Sequence, residues 1–144
     1  VLIISTAALL ISAGVQVRAQ TVEHQDGSAL PNPADSDVIK KPKWVSLPSG
    51  DDMAFAYPDQ ALDKGVGAHV VALCQVTING KLDTCRVQEE EPSGYGFGAA
   101  TLQVMTKFRM SPKLPDGSAA SGRWVYVPFN WTQCSHRGGS VSCR

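Results

Sequence analysis

An excess of charge is the first thing this chain lacks. Thirteen Lys and Arg balance thirteen Asp and Glu, and the pI is about 7.0. Without a basic surplus there is no electrostatic footprint for nucleic acid or for an anionic membrane surface. Arg137-Gly138-Gly139 is a lone RGG without interleaved aromatics and reads as a turn. Histidine is scarce. His24, His69 and His136 are scattered and show no metal spacing with the cysteines or acids. There is no P-loop, no dinucleotide fingerprint and no G-x-S-x-G elbow. Cys74, Cys85, Cys134 and Cys143 form no C-x-x-C. Glu89-Glu90-Glu91 reads as a solvated strand end. These absences remove the common enzyme classes, so the expectation is a protein without catalytic residues, cofactor or metal.

What is present begins with residues 1–17, which are almost uniformly apolar or small. Val17-Arg18-Ala19 places suitable residues around a signal-peptidase site, giving a signal peptide over residues 1–19. A short membrane anchor is the alternative, at the lower limit of a bilayer span. Either reading sends the remainder to an exported, oxidising compartment. An even set of four cysteines agrees and reads as two disulfides. Residues 20–43 are polar and Pro-containing without periodicity, the composition of a disordered linker. The domain is expected over residues 44–144.

Within it, Tyr57-Pro58-Asp59 to Gly65 carries helix punctuation, with Pro near the start and Gly at the stop. Residues 69–78 and 81–88 read as a β-hairpin around Asn79-Gly80, a type I′ turn. That turn sets Ile78 against Lys81, Val76 against Asp83 and Cys74 against Cys85, a spacing a disulfide can bridge. Phe97, Ala100, Thr101, Val104, Met105 and Phe108 form one face of a helix that Pro112 ends. Arg123 to Trp131 is a third strand. Pro128, which lacks a donor, suits an edge there. Of Trp124, Tyr126, Phe129 and Trp131, two are expected in the core. Gly138-Gly139 predicts a second hairpin, with Cys134 facing Cys143. The fold class is α+β: a small two-layer sandwich of an antiparallel three-stranded sheet and two helices, ordered α-β-β-α-β, plus a short disulfide-closed C-terminal hairpin. Such a sheet has open edges that must be covered, blunted or used. An extended peptide can add to one of them as a further strand.

The ordered set Tyr57-Pro58, Val70 to Leu82 with Asn79-Gly80, Gly96-Phe97-Gly98, Phe108 to Pro112, Asp116-Gly117 and Val125 to Phe129 resembles the C-terminal domain of TonB-family energy transducers. The resemblance implies that the third strand offers its edge to the TonB box of an outer-membrane receptor, in TonB-dependent transmembrane transport. Tyr57 and Pro58 would lie near that peptide. Carried over by motif, the partner-binding residues are Tyr57, Pro58, Arg123, Val125, Val127, Phe129 and Trp131. Gly80, Phe97, Phe108 and Pro112 fall at positions that look structural in the family. Partners are then an outer-membrane receptor or another envelope protein, and for a full transducer an inner-membrane motor; exposed edges also permit a homodimer. The apolar N-terminus holds no histidine and the linker is short, unlike a full transducer. A complete membrane-anchored transducer subunit is therefore the alternative to a binding module. A thiol-disulfide enzyme is the least favoured, since mid-strand cysteines in apolar surroundings lack an activating cation or helix N-terminus.

Overall fold

The Asn79-Gly80 hairpin forms, but by a different turn. The computed structural model describes residues 32–143; the expected signal or anchor and the linker as far as residue 31 lie outside the described residues. Thr77 N–H donates to Lys81 O and Gly80 N–H to Thr77 O, both at 2.9 Å, so Ile78-Asn79-Gly80 is a three-residue loop. Only Gly80 of the three has a positive φ, +75°. A three-residue loop with glycine in the left-handed region is the next commonest hairpin after the two-residue form. Its consequence is a one-residue slip: Val76 pairs with Leu82 rather than Asp83, and Gln75 with Asp83. Ile78 then stands in the loop, 78% exposed, instead of on the core face.

The strands are β2 (Ala68–Val76) and β3 (Leu82–Glu91). A bulge at Thr84, whose φ is +48°, undoes the slip. Beyond it Leu73 faces Arg86 and Ala72 faces Val87, the pairing a two-residue turn would have produced. Cys74 and Cys85 thereby meet, bonded with Cα atoms 4.1 Å apart. The disulfide is as expected, reached by two compensating irregularities. A second bulge near Gln88 shifts the end of β3 again, so that Val71 faces Glu89.

Among the described residues, three α-helices accompany the sheet. Ser49 caps α1 (Gly50–Ala56): its hydroxyl accepts from Asp52 N–H, and the Asp52 carboxylate accepts from Ser49 N–H. This helix precedes the expected α-β-β-α-β series. Next is α2 (Asp59–Lys64), stopped by Gly65 at φ +61°, with Asp59 and Lys64 at the ends the helix dipole favours. The third, α3 (Phe97–Met105), buries Phe97, Gly98, Ala100, Thr101, Val104 and Met105. It stops earlier than Pro112. Lys107 and Phe108 N–H reach back only three residues, to Val104 and Met105, tightening the last turn. Phe108 stays in the core as the chain turns into β4 (Arg109–Met110), which pairs with β1 (Trp44–Ser46).

The main sheet is antiparallel in the order β3-β2-β5, where β5 is Trp124–Trp131. Its core face carries Val70, Ala72, Cys74, Val76, Val125, Val127 and Trp131 against the helices. Of the four aromatics of β5, Phe129 and Trp131 pack in the core; Tyr126 is 40% exposed, and Trp124 lies under the Arg86 guanidinium. The last hairpin, β6 (Cys134–Arg137) and β7 (Ser140–Cys143), has the predicted register with Cys134 opposite Cys143. Cys134 is disulfide-bonded. Order also starts before Trp44. Val38 and Ile39, placed by composition in the linker, are 7% and 5% exposed. They are adjacent β-branched apolar residues, and burying them outweighs the polar composition around them.

Candidate functional site, an open strand edge

Only one side of β5 is taken by the sheet. Val76 N–H donates to Arg123 O at 2.9 Å, while Trp124 O accepts from Ile39 N–H, on the opposite side, at 2.7 Å. Backbone groups alternate sides along a strand. The N–H and C=O of Val125, Val127, Phe129 and Trp131 therefore face β2, and those of Tyr126, Pro128 and Asn130 face outward. Pro128 agrees with this phase, having no N–H to lose from the β2 ladder. Among the described residues, no strand pairs with the outer edge beyond Trp124.

The sheet's other edge is built differently. β3 carries two bulges, the left-handed Thr84 and the charged residues Asp83, Arg86, Glu89, Glu90 and Glu91. Kinks and charges are the usual means of blunting an edge. β5 pairs with β2 over Ala68–Gln75 without a single register shift, and has no charged residue between Trp124 and Trp131. One edge is closed to another strand and the other is flat.

The residues anticipated from sequence divide by role. Val125, Val127 and Trp131 are buried and Phe129 partly so; their side chains form core. Arg123 donates from its guanidinium to Ser36 O at 2.9 Å, just before the edge. Tyr57 is a cross-tie. Its hydroxyl donates to Val66 O at 2.6 Å, Cys134 N–H donates to it at 3.2 Å, and Thr132 O lies 3.2 Å away. Its ring meets Phe97 and Trp131 edge-on. Pro58 caps α2 and lies under Gly96. The residues carried over by motif, Arg123, Val125, Val127, Phe129 and Trp131, leave out Tyr126 and Asn130, whose backbone groups face outward. Pro128 was the signal that would have shown this. Asn130 is further held by its side-chain oxygen, 2.7 Å from His69 Nδ1.

Where β5 ends, a cavity of about 270 Å³ opens between Met53, Tyr57, Trp131, Thr132 and Cys134. Trp131 is fixed there by its indole N–H, which donates to the buried Thr101 hydroxyl at 2.8 Å. No group of three or more metal-ligating side chains occurs among the described residues.

A sequence model described as Gram-negative bacterial TonB protein C-terminal matches residues 53–132, from α1 to the end of β5. The chain belongs to the TonB C-terminal family. Domains of this family are non-catalytic interaction modules of the envelope. The chain is also similar to an uncharacterized protein of Caulobacter vibrioides, with 34% identity over 55 residues. That match spans 38% of this chain and 55% of that protein. The solution NMR structure of the Pseudomonas aeruginosa TonB C-terminal domain matches with a TM-score of 0.44 and 24% identity, over 69% of this chain and 96% of that one. The TonB-family span excludes the β6–β7 hairpin and the residues before Met53.

Proposed function

We propose that this domain is a periplasmic binding module that takes an extended, TonB-box-like peptide of an outer-membrane receptor as an added strand on β5. The observation that carries the reading is the contrast between the edges: β3 is bulged and charged, whereas β5 is regular, uncharged and open from Tyr126 to Asn130. Main-chain hydrogen bonds would supply affinity and alternate side chains selectivity. The cavity beside Trp131 has room for one apolar side chain of such a peptide. Tyr57 acts indirectly, by holding the Trp131 end of the strand in place, while Pro58 starts α2. Family membership supports an envelope protein as the partner.

The test is selection of peptides on the full chain from a random heptapeptide library. Synthetic peptides from the periplasmic N-terminal segments of outer-membrane receptors are titrated in parallel. Bound peptides should slow amide exchange at Tyr126 and Asn130. Protection on β3 instead, or an absence of binders, would reject the reading.

A further inference from the structure

The β5 edge is not open along its whole length. Val38 forms a parallel bridge with Trp124, and Ile39 N–H donates to Trp124 O at 2.7 Å. The neighbouring Arg123 guanidinium holds Ser36 O at 2.9 Å. Val38 and Ile39 are buried, and an ion pair between Lys40 and Asp35 ties the two ends of the segment. After Ile39 the chain leaves the edge and runs to β1, where Ser111 N–H donates to Lys43 O at 2.8 Å. The segment therefore fills one ladder position and no more.

We propose that Ser36–Ile39 is a fixed stop that sets the register of a peptide added to β5. This deepens the strand-addition reading and rests on it. An incoming strand slid towards Arg123 meets Ile39 and Lys40 and finds the Trp124 carbonyl already bonded. The acceptors left to it are the carbonyls of Tyr126, Pro128 and Asn130, and the donors are the N–H groups of Tyr126 and Asn130 alone. Register in an edge pairing is otherwise weakly specified, and a slip of one residue exchanges which side chains meet the core side. A stop at Trp124 fixes which peptide side chain arrives beside the cavity at Trp131. Selectivity between peptides of similar composition then depends on where the apolar residue falls. The stop lies outside the TonB-family span of residues 53–132.

The test uses the full chain and the tightest peptide from the selection above, with residue-level amide exchange. On saturation, the Ile39 amide should keep its protection while Tyr126 and Asn130 slow at least tenfold. Ile39→Pro removes the donor to Trp124 O, and the peptide should then gain one further protected amide. Arg123→Gln leaves the core intact and guards against a folding failure of the proline variant. It should speed Ile39 exchange severalfold in the free protein and partly protect the same extra peptide amide. Loss of Ile39 protection on peptide binding would make the segment a displaced competitor and overturn the stop. So would an unchanged number of protected peptide amides in both variants. A peptide that protects no β5 amide in any chain overturns the strand-addition reading, and this inference with it.

Discussion

Tyr126→Pro separates the edge from the core. The Tyr126 N–H faces away from β2, so its loss breaks no bond within the sheet. Pro128 already occupies an equivalent position two residues on. The stability cost reduces to the cross-strand contact with Leu73 and the ring's restriction of φ, about 1 kcal/mol in all. For an added peptide the same change removes a donor. A net hydrogen bond of about 0.5–1.5 kcal/mol corresponds to a loss of roughly 2- to 13-fold in affinity. Val127→Pro reverses the pattern. Val127 is buried and its N–H faces β2 opposite Ala72, so the orphaned partner alone costs about 1–3 kcal/mol before any loss of packing. Urea unfolding followed by circular dichroism reads the first quantity, and fluorescence anisotropy with a labelled peptide reads the second. Equal destabilisation by the two prolines would refute the backbone phase assigned to β5. Undiminished affinity in a folded Tyr126→Pro chain would remove this edge as the docking surface.

Further outcomes follow from the same geometry. Thr101→Val leaves the buried Trp131 indole N–H without a partner and should cost about 1–3 kcal/mol in urea unfolding; a cost near zero would mean that this bond does not anchor β5. Gly80→Ala places a Cβ inside contact distance of Met110 O at a φ of +75°, so the unfolding midpoint should fall by more than the change from Gly94→Ala, where the space is open. The Asp52 carboxyl is lowered from 3.8 to about 2, first by the Ser49 hydroxyl, then by the Ser49 backbone N–H and by Lys107. A depressed carboxyl contributes stability above its unfolded pKa and loses it as pH falls through the folded one. The stabilities of wild type and Asp52→Asn should therefore differ above about pH 4 and converge towards pH 2; a constant gap across that window would show that the cap is not the cause.

The order of helices and strands was legible because each segment carries its own local physics. The 3.6-residue stripe from Phe97, the Asn-Gly turn and the Pro58-to-Gly65 punctuation are signals that tertiary packing reinforced. The cystine was legible for a subtler reason. The turn loop is one residue longer than Asn-Gly suggests, and the Thr84 bulge returns the residue, so Cys74 still finds Cys85. Sequence arithmetic has no access to a bulge made by a threonine at positive φ. α1 was missed because its capping box uses Asp52 where Glu or Gln is usual, and because Phe55, its largest apolar residue, is 85% exposed and gives no amphipathic stripe. Val38 and Ile39 were hidden in a polar stretch where two apolar residues show no period. In β5 the strand itself was readable, but the direction of its backbone groups was not. Val125 and Val127 were carried over by motif as docking residues, and their side chains are buried in the core.

The most direct measurement is an isotope-edited nuclear Overhauser experiment on the full chain saturated with its tightest peptide. Backbone contacts should run in a continuous line from the peptide to Tyr126, Pro128 and Asn130, ending short of Trp124, where Ile39 stays in place. Contacts running along β3, or into a groove lined by Phe55, Ala56, Gln103 and Val104, would contradict strand addition on β5.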